Sequence, residues 1–273
     1  MFFLRRELLL VVTLLLTHAT LCTSLRVVVF GGTGRTGKYV VEKCMLDGRV
    51  DEVVCVARDL AKGRQLFGRD TQKLSILPAD VTRDSSQRLA RLVEGADAVI
   101  CATGFSPTFP PDPLGAFKVD SRGTRRLIDA CIQANIPRFV LMTSLLTNGF
   151  EAGQALNPQY LLLNSFGGIL FHKRAAEKHL ERQIQSTTLS YCIVRPGGLV
   201  DESRSPPHLN PILFKAQDTL FGGAISRPQV AEVLLEAALN PYAKNKIVEI
   251  VATPTAVRRS YDEVFSELPW SVK

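Results

Sequence analysis

The sequence predicts an α/β fold: a doubly wound parallel sheet, covered by helices on both faces, with a small substrate region toward the C-terminus. Two observations carry this expectation. Apolar runs recur at Leu25–Phe30, Val53–Val56, Leu74–Leu77, Ala98–Cys101, Phe139–Met142, Tyr191–Val194 and Ile247–Val251. Helical segments such as Lys38–Leu46, Gln87–Val93, Thr124–Ala134 and Lys173–Ile184 lie between most of them. Strands alternating with helices imply a parallel sheet joined by right-handed crossovers. The second observation is the junction after the first run, where Gly31, Gly34 and Gly37 separate a strand from a helix. With 273 residues, 46% of them hydrophobic, the chain can bury one large core, expected as a single domain over residues 25–273.

Before that domain, residues 1–24 read as a targeting segment. Arg5 and Arg6 precede an apolar stretch, Leu8–Leu16, and short residues follow near Ala19 and Cys22-Thr23-Ser24. This is a secretory-type signal pattern. The stretch falls short of the ~20 apolar residues that span a bilayer; if uncleaved, residues 1–24 would offer a membrane association.

The first strand and its glycines build a phosphate cradle. Gly31 permits the tight turn, Gly34 lets the backbone approach a pyrophosphate, and Gly37 lets the helix pack close to the sheet. The free N–H groups of the following helix face the anion, which makes Thr33, Arg35 and Thr36 candidate contacts. The second strand ends in Ala57-Arg58-Asp59. A carboxylate there would bind the adenosine 2′-hydroxyl of NAD; a guanidinium matches the 2′-phosphate of NADP. Arg58 is the first charge out, so NADP (NADPH) is expected over NAD, with Arg35 as a second cation. Were Asp59 the residue facing the ribose, the preference would invert. Asp80-Val81 follows the third strand, where a polar group can meet the adenine amino group and an apolar one can cover the ring. Ala102-Thr103-Gly104 closes the fourth strand with small residues that admit the cofactor. Two loops follow strand ends at the carboxyl edge, where such sheets bind ligands: Phe105–Ala116, rich in proline, and Thr147–Gly168.

Composition excludes several other chemistries. The net charge of +7 comes from scattered residues with no interleaved aromatics, so nucleic-acid binding is not expected and an anionic small molecule is. Cys55, Cys101 and Cys192 lie within apolar runs, and neither these nor Cys22, Cys44 and Cys131 form a CxxC pair. His18, His172, His179 and His208 show no metal-ligand spacing, so no metal site is expected.

Taken in order, Gly31–Gly37, Ala79-Asp80-Val81, Cys101–Phe105, Val119–Thr124, Tyr191–Leu199, Ile225-Ser226-Arg227 and Val230–Val233 form a set. The chain resembles the atypical short-chain dehydrogenase/reductase family with NmrA-like architecture, and is similar above all to plant and algal chloroplast NAD(P)-binding Rossmann-fold proteins. The likeness covers nearly all of residues 25–265. It implies a Rossmann fold with a small C-terminal substrate region. It also implies cofactor contacts at the glycine loop, Arg58, Asp80-Val81, Ala102-Thr103-Gly104, the Thr143-Ser144 strand end, Lys173 and Pro196-Gly197-Gly198. A plastid location follows, reached through an endoplasmic-reticulum signal if residues 1–24 act as one; the secretory pathway is the alternative.

Standard members of the larger family use Tyr-x-x-x-Lys after a strand ending in Ser. The lysine lowers the tyrosine pKa and holds the nicotinamide ribose, and the tyrosine donates a proton. Here Ser144 and Lys173 are in place, but the tyrosine position holds Ile169. Tyr39–Lys43 and Tyr242–Lys246 match the spacing in the wrong places. Other proton donors would be Ser144, Tyr160 or His172. A quinone or flavin accepts hydride without an adjacent acid, needing mainly alignment and exclusion of water. The sequence therefore supports an NADP(H)-binding oxidoreductase acting on a small electrophilic acceptor. A non-catalytic NADP(H) sensor or complex-assembly factor is the second reading, and a ketone reductase with a relocated acid the third.

Overall fold

The computed structural model describes residues 25–107, 109–110, 112–201 and 210–271. The targeting segment 1–24 with His18 and Cys22, Pro111 of the proline-rich loop, and His208 lie outside the described residues.

The central sheet contains β1 (Arg26–Phe30), β2 (Glu52–Ala57), β3 (Leu74–Pro78), β4 (Ala98–Cys101), β5 (Arg138–Met142), β6 (Ser190–Pro196), β8 (Ile212–Ala216) and β10 (Lys246–Ala252). Their spatial order is β3-β2-β1-β4-β5-β6-β10-β8. All pairs are parallel except β10–β8. A separate ribbon pairs β7 (Gly198–Val200) with β9 (Ala224–Ser226). The helices are α1 (Gly37–Leu46), α2 (Leu60–Phe67), α3 (Ser86–Val93), α4 (Thr124–Gln133), α5 (Pro158–Ser165), α6 (Ile169–Gln183), α7 (Arg227–Leu239) and α8 (Tyr261–Glu267).

Alternation along β1 sends its side chains to two cores. Val27 and Val29 pack with Val40 and Val41 of α1 and with Val230 and Leu234 of α7. Val28 and Phe30 pack with Leu89 of α3 and Leu127 of α4 on the other face. Leu145, Leu146, Leu170 and Val251 form a small third cluster.

The fold class expected from sequence is the one observed. Differences lie in short elements. The segment 147–168, expected as a mixed loop, contains α5, started by Asn157 accepting from the Gln159 N–H (3.0 Å) and by Pro158 in the first turn. The helix expected from Lys173 begins four residues earlier. Asn164 Oδ1 accepts the N–H groups of Leu170 (3.1 Å) and Phe171 (3.3 Å), satisfying donors that a helix start leaves free.

The expected membrane association is corrected. Among the described residues no helix is long and apolar enough to cross a membrane. The longest, α6, has 15 residues and carries lysines and arginines, against the ~20 apolar residues a span requires.

Candidate cofactor and active site

The strand order reverses between β1 and β4, and a cleft of about 160 Å³ opens there at the carboxyl edge. Gly31, Thr33 and Gly34 form one wall, Arg58 and Lys62 the second, Asp80 and Val81 the third, and Ala102, Thr103 and Gly104 the fourth. Residues from four separate loops thus meet in one cleft. Gly31 has φ +76°, and a Cβ there would lie 2.9 Å from the Ala102 backbone. A Cβ on Gly37 would lie 2.0 Å from the Gly31 carbonyl oxygen, so only glycine lets α1 sit on the loop. Gly34 N–H donates to the Gly31 carbonyl (2.8 Å) and closes the turn. The backbone N–H groups of Arg35 and Thr36 make no hydrogen bond among the described residues. This leaves donors at a helix start for an anion, and a dinucleotide pyrophosphate fits them.

Arg35 itself does not line the cleft. Its guanidinium pairs with Asp201, whose other oxygen accepts from Arg227 Nη1 at 2.7 Å. The buried Thr36 makes no side-chain cap bond to α1.

Beyond β2, Asp59 is engaged as a helix cap. Asp59 Oδ1 accepts from the N–H groups of Ala61 (2.9 Å) and Lys62 (3.2 Å) at the start of α2. Arg58 faces the cleft, joined by Lys62, and neither side chain has a partner among the described residues. Lys62 was not anticipated; its signal was a cation four residues beyond Arg58 on a helix the sequence did not reveal. Asp80 Oδ1 accepts from Thr82 N–H (2.9 Å) and hydroxyl (2.7 Å), which fixes the loop after β3.

Next to Gly104, Lys173 Nζ meets Asp120 Oδ1 at 2.8 Å, with 12% and 1% side-chain exposure. Asp120 Oδ2 also accepts from Phe105 N–H (3.1 Å). A Cβ on Gly104 would approach Lys173 Nζ to 3.4 Å, which sets the lysine beside the strand end. Asp120 lies in a wide π-helical turn, Phe117–Gly123, that runs into α4. Such turns recur at functional positions. Asp120 stands within Val119–Thr124, and nothing local ties it to a lysine 53 residues away.

Ile169 is buried at the tyrosine position. Ser144 is half-buried just past β5, and its hydroxyl has no partner among the described residues. His172 sits edge-on to Phe117 (5.6 Å between ring centres) and Phe171 (5.4 Å). Burial pushes its pKa below the ordinary histidine value, with Asp120 opposing, so the ring is neutral at pH 7. Tyr160 lines a different cleft, with Thr147 and Phe171. Pro196, Gly197 and Gly198 link β6 to β7; a Cβ on Gly197 would meet the Gly223 carbonyl oxygen at 2.6 Å, so close packing against β9 explains that glycine.

Beneath this end lies a buried ionic cluster the sequence did not disclose. Arg195, fully buried in β6, donates to Glu177 through Nε (3.0 Å) and Nη2 (2.7 Å), and pairs with Asp218 (2.8 Å) and Glu249 (3.3 Å). Glu177 accepts as well from Thr143 (2.6 Å) and Arg174 (3.2 Å). Burial alone would raise the Glu177 pKa; the Arg195 charge and hydrogen bonds, with Thr143 and Arg174, outweigh it and hold the carboxyl below its usual value. Glu177 is one helical turn past Lys173, so Arg195 fixes the helix that presents the lysine. Thr143 therefore turns toward the cluster. The signal available was an arginine inside an apolar strand.

A family model described as NAD(P)H-binding matches residues 31–241. The chain belongs to this family. It is 43% identical over 244 residues to an uncharacterized chloroplastic protein of Arabidopsis thaliana, covering 89% of this chain and 82% of that one. Protein TIC 62, chloroplastic, of Pisum sativum is 34% identical over 203 residues, 74% of this chain but 36% of its own length. Among solved structures, the oxidoreductase ylbE from Lactococcus lactis superposes with a TM-score of 0.69 at 20% identity, covering 89% of this chain and 96% of that one. A short-chain dehydrogenase/reductase from Veillonella parvula in complex with NADP gives 0.63 at 12% identity, covering 87% and 99%. The solved structures show the Rossmann fold, and the family match shows an NAD(P)H-binding protein. The chloroplastic relatives support a plastid location.

Proposed function

We propose that the protein is an NADPH-dependent oxidoreductase that delivers hydride to a small electrophilic acceptor of quinone or flavin type. The observation that carries this reading is the pair Lys173–Asp120 at the strand end, with Ile169 where a proton-donating phenol would stand. Bound NADPH would supply the hydride. Thr33, Gly34 and the free N–H groups of Arg35 and Thr36 would hold the pyrophosphate, and Asp80 with Val81 the adenine. Arg58 and Lys62, free of carboxylate partners among the described residues, would take the 2′-phosphate. Asp59 turns Oδ1 to the N–H groups that open α2, and the two cations outnumber its single charge. Lys173, held by Asp120, would hydrogen-bond the ribose and fix the ring. Neutral His172 is a weak acid at pH 7, and Ser144 is a weaker one. An acceptor that stabilises added charge within its own rings needs neither.

The test is titration with NADPH and NADH, followed by stopped-flow oxidation of bound NADPH against a quinone and flavin panel. Tighter NADH binding would sink the cofactor assignment. Tight NADPH binding with no turnover across the panel would favour the second reading, an NADP(H) sensor or assembly factor, which Ile169 supports.

A further inference from the structure

A second cleft, of about 560 Å³, lies against α6 and shares no lining residue with the cofactor cleft. Phe171, Arg174, Lys178 and Arg182 face it. At about 100° per residue these positions cluster opposite Lys173, so the thickness of the helix separates this cleft from the reacting end of the site. Its size is that of a small-molecule site.

Its chemistry is one-sided. Arg125, from α4, joins the three cations of α6 against a single lining carboxylate, Glu151. Arg125 has no partner among the described residues, and Arg182 donates Nε to the Lys178 carbonyl (3.0 Å) without meeting a carboxylate among them. Arg174 reaches back to Glu177 and Glu181, yet its buried Nε has no partner. Glu151 holds Lys178 at 2.6 Å, but these side chains are 54% and 47% exposed, and an exposed pair exchanges readily for another anion. The apolar walls are aromatic. Phe150 and Phe171 are 73% and 67% exposed, and half-buried Tyr160 stands beside them. Rings this exposed offer stacking faces, and guanidinium groups match a carboxylate or sulfonate through paired N–H donors.

We propose that this cleft binds a planar aromatic molecule carrying an anionic group, at a site separate from the cofactor. The assignment does not depend on the reaction catalysed, and it gives a place to Tyr160, which lines this cleft and not the cofactor cleft.

The probe is 8-anilinonaphthalene-1-sulfonate, titrated by fluorescence into NADPH-saturated protein, with neutral N-phenyl-1-naphthylamine as its uncharged counterpart. One equivalent of the sulfonate should bind, with the neutral compound at least about tenfold weaker, since charge-assisted hydrogen bonds dominate recognition of the anion. Arg125→Ala and Arg182→Ala, both on exposed positions, should each weaken binding several-fold, and together about tenfold or more. Glu151→Gln should tighten it by removing the competing carboxylate. Thermal melts establish that the variants remain folded. Displacement of the probe by NADPH, equal affinity for the neutral compound, or wild-type affinity in the double variant would each overturn the assignment.

Discussion

Replacing Arg195 with Met tests whether the buried ionic cluster holds α6 in place. The substitution keeps much of the side-chain volume and removes the charge. Glu177, fully buried, would lose hydrogen bonds at 3.0 and 2.7 Å and keep Thr143, Thr147 and Arg174. Glu249 would lose its contact at 3.3 Å but keep three backbone donors, from Asp218, Thr219 and Leu220. Breaking a buried ion pair from one side costs about 3–5 kcal/mol, because the remaining charge stays out of water. At ~2–4 °C per kcal/mol for a domain of this size, the melting temperature should fall by about 6–20 °C. The loss should also depend on pH. In the wild type the Glu177 pKa is depressed below 4.5, so its contribution is present above about pH 4.5 and fades as pH falls through the folded value. Without Arg195 the folded pKa rises above the unfolded one, so the penalty grows as pH increases from that value. Calorimetry at pH 5 and pH 7.5 should therefore show the larger deficit at pH 7.5. Arg195→Lys, which keeps charge but not the two-pronged geometry, should fall between. A melting shift under about 2 °C for Arg195→Met, or a deficit equal at both pH values, would refute the reasoning.

Arg58→Ala should weaken NADPH binding by about tenfold or more, the worth of one charged hydrogen bond, and leave NADH nearly unchanged; isothermal titration with both cofactors measures this. Asp59→Ala should cost about 1 kcal/mol of stability through the lost α2 cap, while the ratio of NADPH to NADH affinity stays as it was; denaturant melts and the same titrations check both halves. Gly37→Ala should destabilise by about 1–3 kcal/mol and weaken cofactor binding, since its Cβ would meet the Gly31 carbonyl oxygen at 2.0 Å. The thiols of Cys44, Cys55 and Cys192, pushed up to about 12 by burial, should resist a thiol reagent at pH 8 until the protein is unfolded.

The strands and the glycine cradle were legible because their causes are local. Val27–Phe30 alternates between two apolar faces, and Gly31 needs a positive φ whatever surrounds it. The expected strand limits differ from the observed ones by a residue or two. Short elements were not legible. The helix α2 contains Gly63, which weakens any helical signal; a Cβ there would strike Ile76 Cγ2 at 2.8 Å, so the glycine answers to a strand that sequence periodicity does not place beside it. With α2 unseen, Asp59 could not be read as its cap, and the competition between Arg58 and Asp59 stayed open.

The sequence by itself determined seven strands of the sheet and their alternation with helices, the glycine turn after β1 and the absence of a phenol at residue 169. Each follows from backbone sterics, side-chain alternation or residue identity at a known spacing. The tertiary structure alone decided which charges face the ligand. Lys173 finds Asp120 across 53 residues, Glu177 finds Arg195 across 18, and Tyr160 falls on the cleft behind α6. A charge or a hydroxyl declares its type in the sequence, but its partner is chosen by which loops the sheet brings to one edge and by which way a helix is turned when its apolar face is buried.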